Sequence, residues 1–209
     1  MVFKNRTEAG KILASRLSEY QGKDALVLAL PRGGVPVARE VASALDAELD
    51  VVIARKIGAP GNPELAIGAV TSDGTILLND SLVASLGVEE SFIDRKIKQA
   101  KRELSEYVRR YRGERPMPKI ADRVVVIVDD GIATGYTILA AAEATLRKSP
   151  QKLVIAVPVA PRESVYELEQ ATGCQVIAVA QPVFFVAVGQ FYEDFKQVSD
   201  EEVHDALWN

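Results

Sequence analysis

Two adjacent carboxylates, Asp129 and Asp130, close the run Val124-Val125-Val126-Ile127-Val128 and are followed by Gly131-Ile132-Ala133-Thr134-Gly135-Tyr136-Thr137. Side chains of this sign repel a polyphosphate but suit ribose hydroxyls, Mg2+ or a developing positive charge. The loop after them has the opposite preference. Gly131 and Gly135 let the backbone turn so that successive N–H groups point inward, while Thr134 and Thr137 add hydroxyl donors, which together suit a phosphate. The elements that must hold these groups are readable on either side. Five apolar residues, nearly all Val, form a buried-strand signal, and the Ala-rich run 138–144 reads as a helix whose positive end faces the loop. An ordinary strand entering a Gly turn would explain the Val run, but not two carboxylates followed by Thr-Gly-x-Thr.

Two commoner phosphate motifs do not apply. A P-loop requires Lys after its last Gly, where this chain has Tyr136, and the dinucleotide fingerprint G-x-G-x-x-G occurs nowhere in the sequence. The segment 124–137 instead resembles the phosphoribosyl pyrophosphate (PRPP) signature of the type I phosphoribosyltransferases: four apolar strand residues, two acidic residues, then a small/Thr-Gly loop ending in Thr. The resemblance implies that residues 131–137 hold a 5'-phosphate. It also implies that Asp129 and Asp130 act on the ribose, directly or through metal-bound water, with Mg2+ as cofactor.

Two further segments carry the same resemblance. Residues 25–41 contain an apolar strand, the turn Pro31-Arg32-Gly33-Gly34 and a helix that tolerates Pro36 in its first turn. In the resembled family this is the pyrophosphate loop, whose peptide from the basic residue to Gly is often cis; here that bond is Arg32–Gly33. Read without the family, it is a tight strand-to-helix turn. The run 49–54 reads as a strand ending in Arg55 and Lys56, similar to the basic pair that contacts pyrophosphate in adenine and orotate phosphoribosyltransferases. Open parallel sheets bind ligands outside the carboxyl ends of their strands, so Arg32, Arg55, Lys56 and the Asp pair are expected to meet at one crevice.

Helices and strands alternate along the chain as in a parallel sheet. Apolar spacing predicts helices over 7–20, 35–45 and 162–171, strands over 25–30, 152–157 and 175–180, and short strands at 65–70 and 75–78. The expected fold is therefore α/β, a mostly parallel twisted sheet flanked by helices, in the manner of the type I phosphoribosyltransferases. One domain is expected over 1–209, with an insertion at 58–118 and a small hood at the termini, chiefly 181–209.

The segment 91–115 has an apolar stripe of Ile93, Ile97, Leu104, Val108 and Tyr111, a capping-box pattern at Ser91-x-x-Asp94, and a stop at Gly113 and Pro116. It carries a large excess of Lys and Arg. That face suits either anion collection or a homodimer contact, or it is simply solvated. In the resembled family this stretch contains a mobile loop that closes over the substrate. Near the C-terminus, Phe184 and Phe185 are expected to alternate across a strand, with at least one pointing inward, and offer aromatic surface for stacking a planar base or for plugging the core. A second capping box, Ser199-x-x-Glu202, opens a last helix containing His204, which has no nearby partner in a triad-like pattern.

Composition sets the remaining bounds. With 29 acidic and 25 basic residues, the mild negative balance argues against a nucleic-acid binder. Cys174 is the single cysteine and reads as a small buried apolar residue. No stretch resembles a signal peptide or a membrane span, so a cytoplasmic enzyme is expected. The resemblance implies transfer of phosphoribose from PRPP to a small-molecule acceptor such as a nitrogenous base, with release of pyrophosphate, as in nucleotide salvage. Where 6-oxopurine enzymes place Asp before Thr-Gly this chain has Ala133, which leaves the proton-transfer residue open, with Glu64 as a candidate. The alternative is a non-catalytic regulatory protein that senses PRPP or a nucleotide. Hydrolysis of PRPP without an acceptor is a third reading.

Overall fold

The computed structural model describes residues 1–208, apart from the side chain of Glu64, so the candidate proton-transfer group at that position lies outside the described residues. In chain order the elements are α1 (Arg6–Ser15), β1 (Leu26–Ala29), α2 (Gly34–Leu45), β2 (Glu48–Val51), β3 (Ala54–Ala59), β4 (Asn62–Thr71), β5 (Ile76–Leu78) and α3 (Asp80–Ser85). They continue with α4 (Glu90–Arg112), β6 (Val124–Val128), α5 (Tyr136–Leu146), β7 (Lys152–Val159), α6 (Arg162–Thr172), β8 (Gln175–Ala180) and α7 (Asp200–Trp208). Short 3-10 turns occupy Ser18–Tyr20 and Val188–Phe191.

Five strands form a parallel sheet in the order β2-β1-β6-β7-β8. Both faces are covered, which is why β6 is buried at every residue and reads as an unbroken apolar run rather than an alternation. Val27, Ala29, Val126 and Val128 face one core with α1 and α2, whereas Leu28, Val125, Ile127 and Ile155 face another with α5 and α6. The register aligns the strand ends: Ala29 pairs with Val51 on one side and with Val128 on the other. The Leu30 amide still donates to the Val128 carbonyl at 2.9 Å. The turn after β1 and the loop after β6 therefore leave the sheet side by side.

The expected strand at 49–54 is divided between two sheets. The Val52 amide completes the parallel ladder by donating to Ala29, but the Ile53 carbonyl accepts from Ser72, and β3 then pairs antiparallel with β4. Val51, Val52 and Ile53 are all buried, so the apolar run hides the change of partner. Arg55 and Lys56 consequently lie within β3 instead of following a strand end. The Gly/Pro-rich stretch that follows is the end of a hairpin, with Ala59 opposite Asn62 and Gly61 at φ +74 between them. Helix α5 packs between this three-stranded β3-β4-β5 sheet and the parallel sheet. Ala140, Ala141, Ala142 and Ala144 are accordingly buried around the helix.

Helix α4 buries Ile93, Ala100, Leu104 and Tyr111, with Ile97 and Val108 half-buried, as the stripe predicts. The capping box at Ser91 does not form. The helix begins at Glu90, so Ser91 already lies inside it and its hydroxyl donates to Glu89. Ser199 and Glu202 do cap α7 reciprocally, at 2.7 and 3.1 Å. Residues 181–187 form no strand, which removes the expected alternation of Phe184 and Phe185: Phe184 is 88% exposed, and Phe185 stacks on Phe191 with centroids 5.5 Å apart. Among the described residues no helix is long and apolar enough to cross a membrane.

One buried ion pair fastens α4 to the parallel sheet. Arg112 Nε lies 3.0 Å from Asp50 Oδ2 in β2, and its Nη2 donates to the Val51 carbonyl at 2.7 Å. Burial pushes the Asp50 carboxyl up and Arg112 pulls it back, so removing Arg112 leaves an uncompensated buried acid. Arg112→Ala is expected to lower the unfolding free energy by about 3 kcal/mol or more at neutral pH, read from urea titrations against wild type. In the variant the folded pKa of Asp50 lies further above its unfolded value, so the deficit should shrink as pH falls through that folded pKa.

Candidate active site

The turn after β1 is pressed against the acids after β6. A Cβ on Gly33 would collide with the Asp130 carboxylate, and one on Gly34 would lie 2.7 Å from the Val128 carbonyl oxygen and 2.8 Å from Asp129 Cα. Gly33 has φ −58, which any residue adopts, so close approach and not backbone freedom requires the glycine here. The cis peptide in this turn is Pro31–Arg32, one bond earlier than the family pattern places it. Gly33 is already helical as the N-cap of α2, and the Gly34 amide donates to the Leu30 carbonyl at 3.0 Å, so the Arg32–Gly33 bond lies inside a hydrogen-bonded turn that leads into the helix.

Asp129 Oδ1 accepts the Asp130 amide at 2.8 Å. Asp130 Oδ2 accepts from both Nε and Nη2 of Arg6, each at 2.8 Å, and the Asp130 carbonyl accepts from the Tyr192 hydroxyl at 2.6 Å. Burial pushes both carboxyls up, Asp129 well up because the Asp130 charge adds to it, while Arg6 draws Asp130 back toward ionisation. Arg6 is itself stacked 4.0 Å over Phe195 and donates to the Lys196 carbonyl. Its role escaped the sequence reading. A single Arg at the start of a helix, 124 residues from its partner, matches no motif, and its only signal is the need for a cation beside two adjacent acids.

The loop 131–137 leads from these acids into α5. Ile132 is buried and its amide donates to Val159; Ser164 donates to the Ala133 carbonyl at 2.9 Å, fixing the loop to α6; Gly135 at φ +74 caps α5. The Tyr136 hydroxyl accepts from the Asn79 amide, tying the loop to the residue that caps α3. The two threonines diverge. Thr137 borders a groove of about 660 Å³ that Pro31, Arg55 and Lys56 also line, whereas Thr134 borders a smaller cavity of about 120 Å³ with Ser164 and Glu167.

That larger groove brings together pieces of all three sequence segments. Arg32 directly follows Pro31 of the groove wall, but its guanidinium is 3.7 Å from Asp200 at the start of α7. Asp200 also accepts from the Tyr111 hydroxyl at 2.6 Å and pairs with Arg110; the Tyr111 hydrogen bond first, and then Arg110, hold its carboxyl below the usual range. Arg55 faces Glu103 of α4. Among the described residues no group of three His, Cys, Asp or Glu side chains is placed to hold a metal. The donor set here is the Asp129–Asp130 pair, with one Asp130 oxygen engaged by Arg6. That fits a hard cation of the Mg2+ type only if phosphates and water complete its shell.

Comparison with known proteins gives concordant results. A model of the Phosphoribosyl transferase domain family matches residues 3–195. A Mycobacterium tuberculosis protein named "putative phosphoribosyl transferase" is 43% identical over 202 residues, a match taking in 97% of this chain and 45% of the relative. The chain thus spans less than half the length of that curated relative. The crystal structure of TT1426 from Thermus thermophilus matches with a TM-score of 0.84 and 42% identity, covering 99% of this chain and 98% of that one. A hypothetical protein from Neisseria gonorrhoeae with bound ppGpp matches at the level of fold alone, with a TM-score of 0.50 and 11% identity over 99% and 93% of the two chains.

The glycine contacts make a sharp test. Gly34→Ala must push the α2 N-terminus off the β6 end, at a cost of about 1–3 kcal/mol in stability. Thermal and urea unfolding should show that loss, and an unchanged melting temperature would mean that the two loops are not in contact.

Proposed function

The chain belongs to the phosphoribosyl transferase domain family, and on that premise we propose that it transfers phosphoribose from PRPP to a nitrogenous base or similar nucleophile, releasing pyrophosphate. The observation that carries this reading is the alignment of β1 with β6. It sets the Arg32-Gly33-Gly34 turn against Asp129 and Asp130, next to a phosphate-type loop and a basic groove. We further propose a single domain over 1–209, with 58–118 as an insertion and 181–209 as hood, acting in the cytoplasm.

In this reading residues 131–137 anchor the 5'-phosphate, and that remote binding energy fixes the anomeric carbon in place. As the bond from that carbon to pyrophosphate breaks and the bond to the acceptor nitrogen forms, negative charge collects on the leaving group. Arg32, Arg55, Lys56 and the Gly33 amide stabilise it, with Gly34 giving the turn its close approach. The ribosyl ring becomes oxocarbenium-like, and the carboxylates of Asp129 and Asp130 hold its hydroxyls and offset its charge. Asp129 and Asp130, with water and phosphate oxygens, would hold Mg2+, which would supply further neutralisation of the pyrophosphate. Of the two aromatic candidates, Phe184 is the exposed one and serves for base stacking, since Phe185 is occupied by Phe191.

A second reading, a PRPP- or nucleotide-sensing regulator, draws on the exposed Lys98, Lys101 and Arg102 of α4, which turn away from the groove and could meet a partner. One assay separates the readings: incubation with PRPP, Mg2+ and a panel of bases, following pyrophosphate release. Base-dependent release is expected. Release independent of any base would indicate hydrolysis, and tight binding without turnover would indicate a sensor. Asp129→Asn/Asp130→Asn should lose about 100-fold or more in rate while still binding ribose 5-phosphate. Ribose 5-phosphate at 100 times its dissociation constant should add about 2.7 kcal/mol of stability to wild type, a gain visible as a raised Tm. Thr137→Val should diminish that gain, and full protection of this variant would remove Thr137 from the phosphate site.

A further inference from the structure

Helix α4 brings its own side chains to the groove. Lys96, Gln99 and Glu103 line it together with Arg55 and Lys56. Glu103 is held at both oxygens: the Gln99 amide donates to one at 3.0 Å, and Arg55 Nη2 lies 3.4 Å from the other. Arg55 also lies 4.7 Å over the Tyr107 ring, and its Nε is buried with no hydrogen-bond partner among the described residues. A guanidinium presents donors in a planar fork that takes two oxygens side by side at about 2.7–2.9 Å. The single longer contact to Glu103 leaves most of that capacity unused. Both members of the pair are about two-fifths exposed, at 40% and 39%, and an exposed ion pair of this kind adds little stability.

We propose that Glu103 is an internal stand-in for the leaving group. It occupies Arg55 when the groove holds no ligand and yields that place to an oxygen of a pyrophosphate-type anion, which Lys96 of the same helix then also contacts. This inference rests on the transferase reading, because it assumes that the groove receives the pyrophosphate end of the substrate. Electrostatics sets the direction of exchange. A diphosphate carries more charge than a carboxylate and offers paired oxygens, so it outcompetes Glu103 for the fork, and Glu103 repels it until displaced. Helix α4 thereby weakens the binding of free pyrophosphate and speeds its departure after reaction.

The test titrates inorganic pyrophosphate with Mg2+, and separately ribose 5-phosphate, into wild type, Glu103→Gln, Glu103→Ala and Lys96→Ala by calorimetry. Both Glu103 variants should bind pyrophosphate about fivefold tighter or more, with the gain shrinking as salt rises. Lys96→Ala should bind it several-fold more weakly. Ribose 5-phosphate affinity should stay the same in all three, since its phosphate sits at 131–137. If wild type binds both ligands and neither Glu103 variant alters pyrophosphate affinity, the stand-in role is wrong and the transferase reading survives. If wild type binds neither ligand, the transferase reading fails and takes this inference with it.

Discussion

The carboxylates of Asp129 and Asp130 occupy a position that burial makes unfavourable, one beside the other at the end of a fully buried strand. Such a pair persists only where the surroundings supply cations and N–H donors. Arg6 meets that demand at Asp130, the Asp130 amide meets it at Asp129, and the glycine turn after β1 comes close enough that no side chain can stand between. Each of these partners comes from a different part of the chain. The parallel register of β1 with β6 brings the glycines to the acids, and a shift of one residue would carry the glycines past the acids and turn every side chain of β1 to the opposite core.

How much of this could be read from the residues depends on the range of the interactions. The strand, acid pair, loop and helix of 124–146 form one local unit, whose composition and spacing carry both its structure and its chemistry. The sheet order was legible in outline because alternating apolar helices and strands leave few arrangements. The break between β2 and β3 was not, since Val51, Val52 and Ile53 stay buried on both sides of it and only their hydrogen-bond partners change. Phe184 and Phe185 misled for the converse reason: aromatic residues in sequence suggest a strand, but no neighbouring strand offers a ladder there. Arg6, Tyr192 and Glu103 are side chains of ordinary type whose importance lies wholly in long-range contacts.

Helix α4 shows how an amphipathic helix can be tied down at one end by charge and along its length by packing. Its apolar stripe follows the heptad-like spacing of Ile93, Ala100, Leu104 and Tyr111, and its last turn is fixed by Arg112 on Asp50 and Tyr111 on Asp200. Because Asp200 also faces Arg32, the end of α4, the start of α7 and the turn after β1 share one carboxylate. The basic residues of the helix thereby differ in placement, with Lys96 at the groove and Arg110 on Asp200. Arg112 is structural, while Lys98, Lys101 and Arg102 lie in solvent, a division that net charge along the helix could not reveal.

The pairing of residues 3–6 with residues 191–196 also orders events during synthesis on the ribosome. Phe3 exchanges backbone hydrogen bonds with Phe191 and Glu193, and Arg6 rests on Phe195 and the carbonyl of Lys196. The parallel strands β1, β2, β6 and β7 can emerge and pair well before those residues are translated. A nascent chain at that stage already carries both carboxylates but lacks the platform that orients their counter-cation. The acidic pair is therefore complete only after residues 191–196 have been made, and a translational pause between β8 and α7 would act on the same few contacts that hold residues 3–6.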